Sequence, residues 1–324
     1  MKAYLVLARP FTLIGPALGV VSGALTALGS RHYARGEFGW DEFWLVVLTA
    51  VAAAVLNVAS NSVNQIYDLE IDRINKPERP LPKGSLSVRQ AGWFTFVCYV
   101  FGVGASWLVV PDPAFTTWSE RASAPLLAHE CFFLFLLAAI MTLVYSVPVL
   151  GRTKRLTLGA NLTISLPRGL MLKVAGWSVL AYVSHWEPWY IGLCFFLFLL
   201  GAASTKDFCD LDGDSRGGCQ TLPLRFGVRK AAWIIAPFFV LPWLLIPLGV
   251  WWKPDGVEPL LSGTAELLLG LGFSLILWGG YTVYLILRDP DALSRVENHP
   301  SWKHMYLMMF WAQIGFALAY IVKF

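Results

Sequence analysis

Long apolar stretches alternate with short polar connections from one end of the chain to the other. Nine stretches approach the roughly 20 residues that a membrane-spanning helix requires. They cover residues 10–29, 43–66, 89–110, 126–147, 157–183, 187–205, 230–251, 260–287 and 303–322. The pattern predicts an all-α polytopic membrane protein with nine transmembrane helices, forming a single domain over residues 1–324. The first stretch, from Phe11 to about Leu28, exceeds the apolar core of a secretion signal and reads as a span.

Composition sharpens this picture. Of 324 residues, 56% are apolar and only 14% charged, against about 25% charged in a soluble domain. A soluble enzyme is therefore excluded. No basic patch interleaved with aromatic rings suits nucleic acid, so no such partner is expected. The five cysteines are Cys98, Cys131, Cys194, Cys209 and Cys219. The last two have no zinc-ligand spacing, and an odd count argues against a disulfide framework. They read as small residues in packed helices.

The placement of charge says more than its total. Lysine and arginine favour the cytoplasmic side of a membrane. Of the 25 such residues, 18 lie before the first span or in the even-numbered connections. Arg31, Arg35, Arg121, Lys253 and Lys323 lie on the opposite side. This asymmetry predicts a cytoplasmic N-terminus and an outer C-terminus. The short segment before the first span, with no clear transit peptide, points to a prokaryotic inner membrane. Arg168 and Lys173 fall inside the fifth span, where charge is costly and usually faces a cavity or a partner.

Two acidic clusters carry the candidate chemistry. In NQIYDLEIDRINKPERP (64–80), Asn64, Asp68 and Asp72 are four residues apart and share one face if the second helix continues to Asp72. In STKDFCDLDGDSRGG (204–218), Asp207, Asp210 and Asp214 again share a face. Both clusters fall on the same predicted side. Oxygen ligands without imidazole or thiolate suit a hard cation, Mg²⁺ or Ca²⁺, and Mg²⁺ prefers a few carboxylates completed by substrate phosphates. Arg73, Lys76, Arg79, Lys83, Lys206 and Arg216 flank the clusters and are placed to meet such phosphates. The alternative reading is two solvated helix ends. Glu70 and Asp212 fall off the shared faces and read as solvated, and neither stretch fits an EF-hand.

These residues resemble a known family. Asn64-Gln-Ile-Tyr-Asp68-Leu-Glu-Ile-Asp72 is similar to the NxxxDxxxD motif of the UbiA superfamily of intramembrane prenyltransferases. Lys206-Asp207-Phe-Cys-Asp210-Leu-Asp-Gly213-Asp214 resembles its second aspartate motif. Arg73 to Gly84, Thr221-Leu-Pro and Arg225-Phe-Gly fit as well, with weaker echoes at Arg9-Pro10, Tyr145-Ser146 and Arg168-Gly169. The resemblance implies helices around a central cavity and Mg²⁺-dependent transfer of a prenyl chain from its diphosphate. It implies that Asn64, Asp68 and Asp72 hold one ion and that Asp210 and Asp214 hold a second, with Asp207 assisting. Asp68, Asp72, Asp210 and Asp214 would be the catalytic set. Arg73, Arg79, Lys83, Lys154, Arg155 and Lys206 would bind the diphosphate or close over it. Arg168 and Tyr145 would meet the acceptor.

The acceptor is the least legible feature. The first motif and Arg168-Gly-Leu-Met-Leu-Lys look most like homogentisate prenyltransferases, whose products are quinone or tocochromanol precursors. Arg79-Pro-Leu-Pro-Lys-Gly leans toward geranylgeranylglyceryl phosphate as acceptor. Chlorophyllide prenylation and terpene cyclisation remain alternatives. A transporter, the reading from another class, is disfavoured because the polar residues gather at one face and no equal halves are visible.

Overall fold

The computed structural model describes residues 2–33 and 36–323, so Arg35 lies outside the described residues. Regular structure among them is helical throughout. This follows from the apolar stretches: in lipid each backbone N–H and C=O must be satisfied within its own segment. The helices that organise the site are α1 (Lys2–Ala8), α2 (Pro10–Gly29), α3 (Trp40–Tyr67), α4 (Leu69–Asn75), α5 (Val88–Ser106) and α6 (Glu130–Ser146). They continue with α7 (157–177), α8 (Trp186–Phe208), α9 (Leu211–Arg216), α10 (Val228–Trp251), α11 (Ala265–Leu287) and α12 (Pro300–Ile321).

Among the described residues, six helices are long and apolar enough to cross a membrane, where the sequence predicts nine spans. They are α2, α3, α8, α10, α11 and α12. The other three expected spans depart for visible reasons. Helix α6 is apolar but only 17 residues long. Helix α5 opens on the polar pair Arg89-Gln90. Helix α7 changes its winding, with a π-helical segment over Leu166–Met171 between two α-helical pieces. Pro167 lies in that segment and lacks the N–H that a regular ladder needs. All three pack among the rest: α5 along α3, α6 against both, and α7 between α2 and α8.

Large apolar side chains such as Trp93, Phe96, Phe273 and Leu277 are exposed on the flanks, as lipid contact would have it. Lys173 is buried within the bundle. Its Nζ donates to Ser22 Oγ at 2.6 Å and faces the rings of Phe195 and Phe316 at 5.7 and 5.3 Å. All five cysteines are free, as the odd count suggests.

The end of the bundle away from the aspartate motifs is held by Glu187, which is 1% exposed. Its carboxylate accepts from Ser262 N at 2.5 Å, Ser262 Oγ at 3.1 Å and Tyr320 Oη at 2.5 Å, and lies 3.2 Å from His32 Nε2. One side chain thus joins the starts of α8 and α11 to the ends of α12 and α2. Hydrogen bonds to a charged group contribute about 1.5–3 kcal/mol each. Glu187→Gln, which keeps the shape and removes the charge, is expected to cost about 2 kcal/mol. The check is thermal unfolding in detergent, and an unchanged midpoint would remove Glu187 from the stabilising set.

Candidate active site

The first motif does not lie on one unbroken helix. Helix α3 ends at Tyr67, and Asp68 adopts φ −99° and ψ 11° before α4 begins at Leu69. The i to i+4 spacing survives the break. Asp68 N donates to Asn64 O at 2.9 Å, and Asp72 N donates to Asp68 O at 2.7 Å. The three side chains therefore remain stacked, as the spacing predicts. The second motif follows the same plan. A 3₁₀ turn, Ala203–Phe208, ends α8, and Asp210 precedes α9, with Asp214 N donating to Asp210 O at 3.0 Å.

The two motifs meet in a polar pocket of about 90 Å³. Asn64, Asp68, Asp72, Asp207, Asp210 and Asp214 all line it. So do Arg79, Tyr145, Lys154 and Lys206. Asp68 is clasped by two cations, Arg152 Nη2 at 3.1 Å and Lys154 Nζ at 2.5 Å. Arg79 Nη1 reaches Asp72 Oδ1 at 2.5 Å. Lys76 lies 3.7 Å from Asp210 and 2.6 Å from Glu297. Three predicted diphosphate ligands are not brought in. Arg73 pairs with Glu70 and Lys83 with Glu78 on the surface, and Arg155 is exposed beside the pocket.

The electrostatics are those of a site prepared for added positive charge. Burial raises the Asp72 carboxyl, although Arg79 pulls it back. Burial raises Asp214 to about 6, against the pull of Lys154. Burial draws Lys154 down, but the charge and hydrogen bond of Asp68, together with Tyr145 and Cys219, leave it above the ordinary lysine value. Asp72 Oδ2 is buried with no hydrogen-bond partner. An all-oxygen donor set with an orphaned carboxylate oxygen fits a hard divalent cation. Among the described residues, no three Asp, Glu, His or Cys side chains converge tightly enough to hold an ion unaided. Mg²⁺ takes one or two carboxylates and leaves positions for phosphate oxygens and water.

A larger cavity of about 230 Å³ adjoins this pocket and runs into the bundle, and Arg9, Asn64, Tyr145, Ile164 and Lys206 line both. Two arginines enter this cavity from opposite segments. Arg168 lies in the π-helical part of α7. Its neighbour Gly169 faces α8, where a Cβ would meet the Phe196 backbone at 2.6 Å. Only glycine permits that approach, and it seats the segment that carries Arg168 at the cavity. Arg9 sits between α1 and α2 with φ +54°, a conformation that costs a non-glycine residue roughly 1–3 kcal/mol. Side chains from α3 hold it there: Asn57, Asn61 and Gln65 donate to the carbonyls of Thr12, Ala8 and Leu7. Burial and nearby Arg79 lower the Arg9 guanidinium to about 10, and its Nη2 is buried without a partner.

Sequence reasoning missed Arg152 and gave Arg9 little weight. Arg152 reaches Asp68 because its backbone turns left-handed, φ +42°. No motif marks it, although it stands two residues before Lys154. Arg9 had only its Arg-Pro dipeptide as a signal.

Two carboxylate motifs and a cation cluster thus meet at the mouth of a cavity that runs into the helical bundle. The UbiA prenyltransferase family matches residues 23–314, and the chain belongs to that family. It is accordingly a prenyltransferase. Digeranylgeranylglyceryl phosphate synthase of Thermococcus gammatolerans is 28% identical over 297 residues, covering 90% of this chain and 89% of the relative. Homogentisate phytyltransferase of Synechocystis sp. is 29% identical, covering 71% and 70% of the two chains. The structure of a UbiA homologue from Archaeoglobus fulgidus, described as bound to GPP and Mg²⁺, aligns with a TM-score of 0.66 at 16% identity, covering 98% of this chain and 99% of that one. This last likeness is one of fold.

Proposed function

We propose that the whole chain acts as one prenyltransferase domain that transfers a prenyl group from its diphosphate to the hydroxyl of a glycerol-phosphate lipid. Geranylgeranylglyceryl phosphate is the acceptor in this reading. The observation that carries it is the pair Arg9 and Arg168, which with Lys206 line a cavity of mixed apolar and polar walls that adjoins the carboxylate pocket. An acceptor with an apolar tail and a dianionic head matches two guanidinium groups. The coverage of the Thermococcus relative, 90% of this chain against 71% for the Synechocystis one, supports the same acceptor. An aromatic acid such as homogentisate, favoured from sequence, becomes the second reading. It is supported by the Synechocystis relative and needs only one cation.

Asn64, Asp68 and Asp72 would hold one Mg²⁺, and Asp210 and Asp214 a second, with Asp207 beside them. When bound, Mg²⁺ withdraws charge from the leaving pyrophosphate. Arg79, Lys154, Arg152 and Lys206 bind its other oxygens, so that Lys154 and Arg152 exchange Asp68 for phosphate. The C1–O bond of the prenyl diphosphate breaks, the acceptor hydroxyl oxygen forms the new C–O bond, and its proton passes to the departing pyrophosphate. The buried cavity keeps water from the allylic cation. The aspartate end faces the cytoplasm, in keeping with the excess of basic residues in its connections.

The test is mass spectrometry of products from the purified protein with Mg²⁺ and geranylgeranyl diphosphate. Geranylgeranylglyceryl phosphate and homogentisate are offered in competition. A digeranylgeranylglyceryl phosphate product is expected, whereas exclusive prenylation of homogentisate would overturn the proposal in favour of the second reading.

A pH dependence follows from Asp214. Metal binding requires the carboxylate, and protons compete below its pKa of about 6. The Mg²⁺ concentration for half-maximal activity is expected to rise as pH falls from 7 to 5, by up to about tenfold per unit below 6. A flat Mg²⁺ requirement across that range would remove Asp214 from the ligand set.

A further inference from the structure

We infer that Asn75 is a positioning residue that sets the separation of the two aspartate motifs, and with it the affinity of the site for divalent cation. The inference rests on the two-motif metal reading given above. Asn75 ends α4, three residues beyond Asp72, and lines the polar pocket. Its side chain crosses to the second motif. Nδ2 donates to Asp210 O at 3.2 Å, and Oδ1 accepts from Gly213 N at 3.0 Å. A carboxamide presents one donor and one acceptor side by side. Here it closes on one carbonyl and one N–H of the same backbone turn, the turn between Asp210 and Asp214. The complementarity also fixes which amide atom faces which group. Aspartate would set a carboxylate against the Asp210 carbonyl, and leucine would satisfy neither group.

The packing around it is a close interlock. A Cβ at Gly213 would stand 2.4 Å from Cγ, Nδ2 and Oδ1 of Asn75. A Cβ at Gly217 would stand 2.4 Å from Ile71 Cδ1. Ile71 and Asn75 are four apart on α4, and Gly213 and Gly217 lie four apart along α9 and its end, so two side chains of one helix fill two vacancies on the other. Asp68 and Asp72 precede Ile71 and Asn75, and Asp210 and Asp214 flank Gly213. The glycine before Asp214 is thus explained by the width of the Asn75 amide. Sites that must bind a cation jointly with a substrate need their ligands held to within a fraction of an ångström by such supporting contacts.

The test uses the full chain in detergent with saturating geranylgeranyl S-thiolodiphosphate, which cannot turn over. Mg²⁺ is titrated, and the rise in thermal midpoint reads binding. In Asn75→Ala the half-saturating Mg²⁺ concentration is expected to rise about tenfold, while the metal-free midpoint stays within a few degrees of wild type. Gly213→Ala should weaken Mg²⁺ binding strongly alone and add nothing in the Asn75→Ala background, because the clash is then gone. Asn75→Ala titrating as wild type, or lowering only the metal-free midpoint, would overturn the inference, as would equal effects of Gly213→Ala in both backgrounds. Wild type and Asp68→Ala distinguish the two levels. No Mg²⁺ response in wild type, or an unaltered one in Asp68→Ala, would instead defeat the metal reading on which the inference rests.

Discussion

Asp68→Ala lowers the rate of prenyl transfer about a thousandfold, the largest effect expected at this site. Asp68 is 4% exposed and stands where the broken helix turns its carboxylate into the pocket. Arg152 and Lys154 both close on it. In the proposed reading, removing it takes away a charge of the first cation site; it also leaves buried Lys154 without its carboxylate and Arg152 with the Tyr67 carbonyl. Loss of a single preorganised donor to a developing anion costs about 10²–10³ in rate. A ligand whose loss disturbs both the ion and two phosphate-binding cations belongs at or above the upper end, and a thousandfold corresponds to about 4 kcal/mol. Alanine also invites a folding defect, because an unpaired buried charge is costly. Asp68→Asn is the companion variant: it offers Lys154 and Arg152 an oxygen of the same shape without the charge. Asp68→Asn should elute and unfold like wild type, and both variants should be inactive within the range of a product assay by mass spectrometry. Activity within tenfold of wild type in Asp68→Asn would end the view that the first motif binds metal.

Much of this site was legible because it rests on spacing. Asn64, Asp68 and Asp72 recur every four residues, and that period brings side chains to one face whether the helix is continuous or interrupted at Asp68. The same holds for Asp210 and Asp214. The apolar pattern likewise gave an all-helical membrane protein, since hydrophobic length maps directly onto a span. What sequence could not give is where a long side chain ends. Arg73, Lys83 and Arg155 carry the same charge as Arg79 and Lys154 at similar distances along the chain. Only the turns between helices decide that two enter the pocket and three face away. Arg152 enters through a left-handed backbone, which a non-glycine residue rarely signals. The count of nine spans is left unconfirmed for a related reason. A run such as 157–183 is apolar enough overall, yet Pro167 and the tight seat of Gly169 rewind it locally, and composition averages that away.

Arg168 is the residue through which the acceptor question is best put. Arg168→Ala is expected to raise the acceptor KM about a hundredfold, roughly 2.7 kcal/mol, while the KM for the prenyl diphosphate stays within about threefold. The separation follows from place. Arg168 lines the apolar cavity but not the carboxylate pocket, whereas Arg79 and Lys154 line the pocket but not the cavity. A guanidinium beside a phosphate makes paired, charge-assisted hydrogen bonds, each worth about 1.5–3 kcal/mol. Arg168→Lys should recover part of the loss, because an ammonium keeps the charge but not the fork. Arg9 supplies the comparison. If the head group is a phosphate monoester shared by both arginines, Arg9→Ala should also raise the acceptor KM, and the double variant should cost less than the product of the two singles, as groups acting on one ligand atom set are not additive. If the acceptor is an aromatic acid held by Arg168 alone, Arg9→Ala should leave the acceptor KM unmoved. Steady-state kinetics of the three variants with each acceptor would decide between these, and an Arg168→Ala enzyme with normal acceptor KM would return Arg168 to a structural role in the π-helical segment.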